Sequence, residues 1–145
     1  MTDQANPEAA WPRAVNRLLL VEDNAPLLQF IRAVAQRLGY EVIATSTLER
    51  RPELHSDPPT LALLDVHTDP EPYTAFEMTR AVPDTVPIVL MSGDAQEVLE
   101  AAVTEGRSHG AWVVGMLVKP FGLPALRQLL IDHRREAPLV ADVRA

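Results

Sequence analysis

The chain has 145 residues, 47% apolar and 23% charged, the balance of an ordinary globular protein and not of a disordered one. Twenty acids against 13 bases give a formal net charge of −7, and Lys119 is the only lysine among those bases. No long Lys/Arg run is present to hold a nucleic acid, no cysteine to form a disulfide or thiolate site, and no apolar run near the ~18 residues of a membrane span.

The first 25 residues also lack a signal-peptide core, so a soluble, cytoplasmic protein is expected. Residues 1–16, MTDQANPEAAWPRAVN, are small and polar with two prolines and read as a leader outside the core. A short apolar run, Arg17–Val21, follows and ends in Glu22-Asp23-Asn24. From Ala25 to Leu38 the apolar residues Leu27, Leu28, Ile31, Val34, Ala35 and Leu38 recur at helical spacing. Asn24 suits the N-cap, Pro26 the first turn, and Gly39 the stop.

The alternation then repeats. Tyr40–Ala44 is a β-branched run, Leu48–Leu54 a weak helix interrupted by Pro52, and Leu61–Val66 an apolar strand carrying an acid at Asp65. A loop with Pro70 and Pro72 leads to a short helix, Thr74–Val82, and then to the strand Pro87–Met91 with Ser92-Gly93-Asp94 behind it. Ala95–Arg107 is a helix with Val98, Leu99, Ala102 and Val103 on one face; Val113–Val118 is the last strand, and Leu123–Arg135 the last helix. Five short apolar strands alternating with five helices predict an α/β fold with a doubly wound parallel sheet covered on both faces.

In that architecture ligands sit beyond the carboxyl ends of the strands. The residues found there are Glu22-Asp23, Asp65, Ser92 and Lys119-Pro120. Each has an ordinary explanation alone: a capping turn, a strand-end acid, a Ser-Gly turn, an exposed loop. Together they place three carboxylates, one hydroxyl and the only lysine on one rim. Crowded carboxylates repel one another unless a cation shares them, and hard oxygen ligands of this kind suit Mg²⁺. A hydroxyl and an ammonium add donors for a phosphoryl group, and an aspartate so placed can become an aspartyl-phosphate.

LLLVEDN (Leu18–Asn24), LALLDV (Leu61–Val66), PIVLMSG (Pro87–Gly93) and LVKPF (Leu117–Phe121) resemble the motifs of the receiver domain of two-component response regulators. The resemblance covers residues 17–135. It implies a flavodoxin-like five-stranded parallel sheet of order 2-1-3-4-5. It further implies that Asp65 accepts a phosphoryl group from a histidine-kinase phosphohistidine, directly or through a phosphotransfer protein. Mg²⁺ would be held by Glu22, Asp23, Asp65 and the backbone carbonyl of His67. Ser92 and Lys119 would contact the phosphoryl group, and Lys119-Pro120 would be cis. His67 and Asp94 would set the lifetime of the aspartyl-phosphate.

Three features depart from the family pattern. The segment after Asp65 has Asp69-Pro70 where the family has an earlier proline, and DPEPYTAFE lacks glycine, which predicts a longer, stiffer loop. The switch position three residues before the lysine is Met116, with neither ring nor hydroxyl, and Trp112 lies four residues earlier. Only a short tail, 136–145, follows the last helix, so the expectation is a stand-alone receiver with no output domain. Such a protein would act through its own surface, with a homodimer through the fourth helix, fifth strand and fifth helix as one arrangement. His55, His109 and His133 are expected to be exposed and to form no metal cluster.

The alternative to a phosphoacceptor is a receiver-like interaction module with weak or lost phosphorylation. A phosphatase of the aspartyl-phosphate type would carry its nucleophile after the first strand with a second acid two residues on, where this chain has Glu22-Asp23-Asn24-Ala25. Neither a P-loop nor a Gly-x-Gly-x-x-Gly turn is present for a nucleotide enzyme. Beyond the slow chemistry of its own phosphoryl group, the chain is therefore expected to be no enzyme.

Overall fold

Side chains alternate across a strand, so an apolar strand of five or six residues supplies two apolar rows and needs a cover on each. A computed structural model describes residues 15–47, 53–66 and 75–135 and shows both covers. In chain order the elements are β1 (Asn16–Val21), α1 (Ala25–Arg37), β2 (Tyr40–Thr45), α2 (Glu53–Ser56), β3 (Leu61–Asp65), α3 (Ala75–Arg80), β4 (Ile88–Ser92), α4 (Gln96–Ser108), β5 (Val113–Val118) and α5 (Leu123–Asp132). The strands form one parallel sheet of order β2-β1-β3-β4-β5. This is the expected doubly wound topology.

Leu18 and Leu20 of β1, Leu61 and Leu63 of β3, and Val89 and Met91 of β4 face α1 and α5, where Ile31, Ala35, Leu126 and Leu130 meet them. Leu19, Val21, Ala62, Leu64, Ile88 and Leu90 face the other way, onto Leu54 of α2, Met78 of α3, and Leu99 and Val103 of α4. β1, β3 and β4 are the central strands, and all their apolar side chains are buried.

Most expected boundaries hold within two or three residues. β1 begins at Asn16, inside the stretch read as leader, and that side chain is buried. β4 runs one residue further, through Ser92, because Lys119 N–H donates to the Ser92 carbonyl and extends the ladder. The helix expected over Leu48–Leu54 is found at Glu53–Ser56, behind Pro52; residues 48–52 lie outside the described residues. α1 starts as read, with Asn24 Oδ1 accepting the Leu27 N–H at 2.9 Å and a proline in its first turn. Gly39 has φ +93°, a backbone conformation that a Cβ would strain, and it ends α1 where the sequence placed the stop.

One strand is irregular. β5 pairs Val113 with Ile88 but Gly115 with Val89, so Val114 is an extra residue at a bulge. The bulge resets the alternation. Val113, Met116 and Val118 face α4, while Val114 and Leu117 face α5. A regular strand would have put Val114 and Met116 on one face.

Candidate functional site

The parallel ladder brings the strand ends to one rim. Val21 is in register with both Leu64 and Thr45, Asp65 with Met91, and Ser92 with Val118. Beyond the last pairs, Glu22 N–H donates to Thr45 O at 3.0 Å, Val66 N–H to Met91 O at 3.0 Å, and Lys119 N–H to Ser92 O at 2.8 Å. Backbone bonds thus fix the start of every loop that carries a candidate residue. Lys119-Pro120 is a cis peptide bond.

Glu22 and Ser92 are fully buried, Asp65 is 2% exposed, and Asp23 is half-buried. One carboxylate oxygen from each of Glu22, Asp23 and Asp65 lies within 4.8 Å of the others. Among the described residues no other group of three or more Asp, Glu or His side chains is so placed. The Lys119 ammonium sits across this cluster, donating to Asp65 Oδ2 at 3.0 Å and lying 2.7 Å from Glu22 Oε1. Glu22 Oε2 accepts the Asn24 N–H at 3.1 Å, so the capping turn that starts α1 also orients the Glu22 carboxylate. Ser92 Oγ accepts the Asp94 N–H at 3.0 Å, which folds the loop after β4 back over the serine.

The electrostatics match this crowding. Burial raises the Glu22 pKa above the usual carboxylate range; contact with the Lys119 ammonium and the Asn24 N–H pull it down, and the Asp65 charge pushes it up again. Burial also works against the Lys119 charge, but the two facing carboxylates together outweigh it and hold that pKa above the ordinary lysine value. The ammonium is therefore charged at neutral pH.

The residues fit a hard divalent cation. Oxygens of an octahedral Mg²⁺ shell lie roughly 3 Å apart when adjacent and roughly 4 Å when opposite, and three carboxylate oxygens within 4.8 Å of one another are close to that spacing. Glu22 Oε1 is buried with the Lys119 ammonium 2.7 Å away, and a carboxylate oxygen with one such neighbour keeps a lone pair for an ion. Bound there, Mg²⁺ would offset the negative charge of the cluster. Glu22, Asp23 and Asp65 are the described residues that would hold it. His67, expected to give a carbonyl ligand and to tune dephosphorylation, lies outside the described residues, as do Asp69, Pro70, residues 1–14 of the 1–16 leader and the tail 136–145.

Met116 is half-buried and packs on the α4 side of the sheet. What the sequence reading missed is how it gets there. The β5 bulge turns it, and Arg107 of α4 donates from Nε to the Val113 carbonyl at 3.0 Å, beside the extra residue. Gly115 inside the apolar run WVVGMLV was the available sign of a bulge. Asp94 and Trp112 are exposed, Trp112 at 51%. His55 and His109 are exposed as expected, but His133 is half-buried at the C-terminal end of α5.

No protein-family model matches the chain, and no curated protein matches it. Solved structures do. The receiver domain of a CheY-like response regulator from Methanospirillum hungatei is 20% identical with a TM-score of 0.62, over 82% of this chain and 96% of that one. The BeF3-activated N-terminal receiver domain of RstA from Klebsiella pneumoniae is 21% identical with a TM-score of 0.66, over 83% and 100%. Chemotaxis protein CheY4 of Vibrio cholerae is 22% identical with a TM-score of 0.63, over 84% and 100%. The chain thus has the fold of CheY-like receiver domains, over nearly the whole length of those domains. Among the described residues no helix is long and apolar enough to cross a membrane.

Proposed function

We propose that the chain is a response-regulator receiver that accepts a phosphoryl group on Asp65. The observation that carries this reading is the three-carboxylate cluster with a lysine ammonium bridging Glu22 and Asp65 on a receiver-type sheet. In the proposed reaction an Asp65 oxygen attacks the phosphorus of a phosphohistidine. A P–O bond forms, the P–N bond breaks, and the imidazole leaves to take up a proton. Lys119 donates to an oxygen of the transferred group, and the Ser92 hydroxyl, whose oxygen already accepts from Asp94, donates its own proton to another. Glu22, Asp23 and Asp65 would hold Mg²⁺, which would supply positive charge to offset the transferred group. The chain catalyses only the loading and loss of its own phosphoryl group. Its partners in this reading are a histidine kinase or a phosphotransfer protein, and its site of action is the cytoplasm.

The test is a mass measurement after treatment with acetyl phosphate, with and without Mg²⁺, on the wild type and Asp65→Asn. BeF3, the reagent that activated the RstA domain, is the non-covalent counterpart. A gain of one phosphoryl group that needs both Mg²⁺ and Asp65 supports the proposal. A folded protein that gains nothing is instead a receiver-like interaction module, the reading that the absent switch aromatic at Met116 would favour.

A further inference from the structure

The chain has no cysteine, so methionine is its peroxide-reactive sulfur. Its described methionines differ sharply in access. Met78 in α3 and Met91 in β4 are 0% exposed, within the two core clusters. Met116 is half-buried and lines an open groove of about 390 Å³ between α4 and β5, with Glu100, Val103, Thr104, Arg107 and Gly115. The bulge at Val114 is what places it there. The groove holds more than enough room for a peroxide molecule and the added oxygen.

We propose that Met116 is a site of selective oxidation by hydrogen peroxide, and that its sulfoxide remodels the α4–β5 contact. The thioether sulfur attacks one peroxide oxygen; an S–O bond forms, the O–O bond breaks, and the departing hydroxide takes the remaining proton as water. Sulfur loses two electrons and the peroxide is reduced. The product replaces a soft apolar group with a strong acceptor in a groove that Arg107 also lines. The Arg107 guanidinium spends its Nε–H on the Val113 carbonyl, and the sulfoxide oxygen accepts from its remaining N–H groups and pulls the side chain toward the groove. Drawing Arg107 away would loosen the bulged start of β5, which among the described residues is paired on only one side. This inference does not depend on phosphoryl transfer, and its readouts involve none.

Folded protein is exposed to dilute hydrogen peroxide for a time series, quenched, digested and fragmented finely enough to separate Met116 from Trp112. Met116 should gain oxygen at least tenfold faster than Met78 and Met91, and the three rates should converge in guanidinium. Equal rates for all three in the folded protein would overturn the assignment. Amide exchange over 113–118 should then quicken severalfold after oxidation of the wild type, but not after the same treatment of Met116→Leu. Unchanged exchange in fully oxidised wild type would overturn the remodelling.

Discussion

A buried carboxylate is tolerated when a partner offsets its desolvation, and Glu22 shows how finely that balance is set. Its Oε2 has the Asn24 N–H, but the nearest charge to Oε1 is Lys119 at 2.7 Å. The single lysine of the chain therefore has a structural task of its own: it keeps Glu22 and Asp65 together. A guanidinium is planar and forked and would not sit as a point charge between two oxygens from different strands. Lys119→Met should consequently cost about 3 kcal/mol in a urea melt, since it removes one member of a buried ion pair and leaves the others facing each other. It should also enlarge the stabilisation by Mg²⁺, because the ion no longer meets a fixed positive charge and becomes the chief counter-charge for the cluster. Millimolar Mg²⁺ should raise the melting temperature of the variant more than that of the wild type. A smaller shift in the variant would mean that the ion does not bind among these carboxylates.

At the level of elements, α5 is held by a residue far from it in sequence. Tyr40, the first residue of β2, donates its hydroxyl to the Leu130 carbonyl at 2.7 Å, one of the last four helix carbonyls, which have no partner in the helix. Burial pushes the Tyr40 pKa up to about 12, so the neutral, donating form belongs to the folded state. The unfolded value is near 10 and the folded value higher. Tyr40 thus contributes stability that is full below pH 10 and lost as pH rises through 12. Tyr40→Phe should cost about 1 kcal/mol at neutral pH and flatten the fall in stability between pH 10 and 12; an unchanged fall would assign it to other groups. The β5 bulge makes a second element-scale case. Deleting Val114 leaves every other β5 residue on its present face and pairing, so the loss should be about 1 kcal/mol, from one half-buried valine. Deleting Leu117 instead removes a buried leucine and turns part of the strand to the wrong face, and should cost several kcal/mol. Denaturant melts of the two deletions distinguish these outcomes. The contrast also explains what could be read in advance. Short apolar runs, each closed by a polar residue, revealed the strands, and therefore the rim where Glu22, Asp23, Asp65, Ser92 and Lys119 meet. The bulge depends on which residue of β4 each residue of β5 opposes, and that register is a property of the pair of strands.

Across the whole molecule, the two edges of the sheet are built differently. The carboxyl edge concentrates like charges around one ammonium, whereas the opposite edge is closed by polar side chains whose partners are satisfied. Thr60 Oγ1 both accepts from Arg17 N–H and donates to Arg17 O, and Arg17 is half-buried with ion pairs to Glu41 and Asp57. Asn16 does most to close the molecule. Its Nδ2 donates to Arg135 O at 3.1 Å and its Oδ1 accepts Arg135 N–H at 2.7 Å, joining the start of β1 to the residue three beyond α5 across 119 positions. Sequence pattern placed Asn16 in the leader because a polar residue before an apolar run resembles loop; only the return of the chain after α5 supplies its partners. Six strand residues at about 3.3 Å each separate it from Glu22 by roughly 20 Å, beyond the range at which substitutions usually couple. Asn16→Ala breaks both bonds and leaves two backbone groups without them, which should destabilise the fold by about 1–3 kcal/mol. Its effect should add to that of Asp65→Asn within about 0.5 kcal/mol. The Mg²⁺-induced rise in melting temperature, which reports on the carboxyl edge, should be the same in Asn16→Ala as in the wild type. A diminished rise would show that the clasp between β1 and the segment after α5 supports the carboxylate geometry as well as the closure of the sheet.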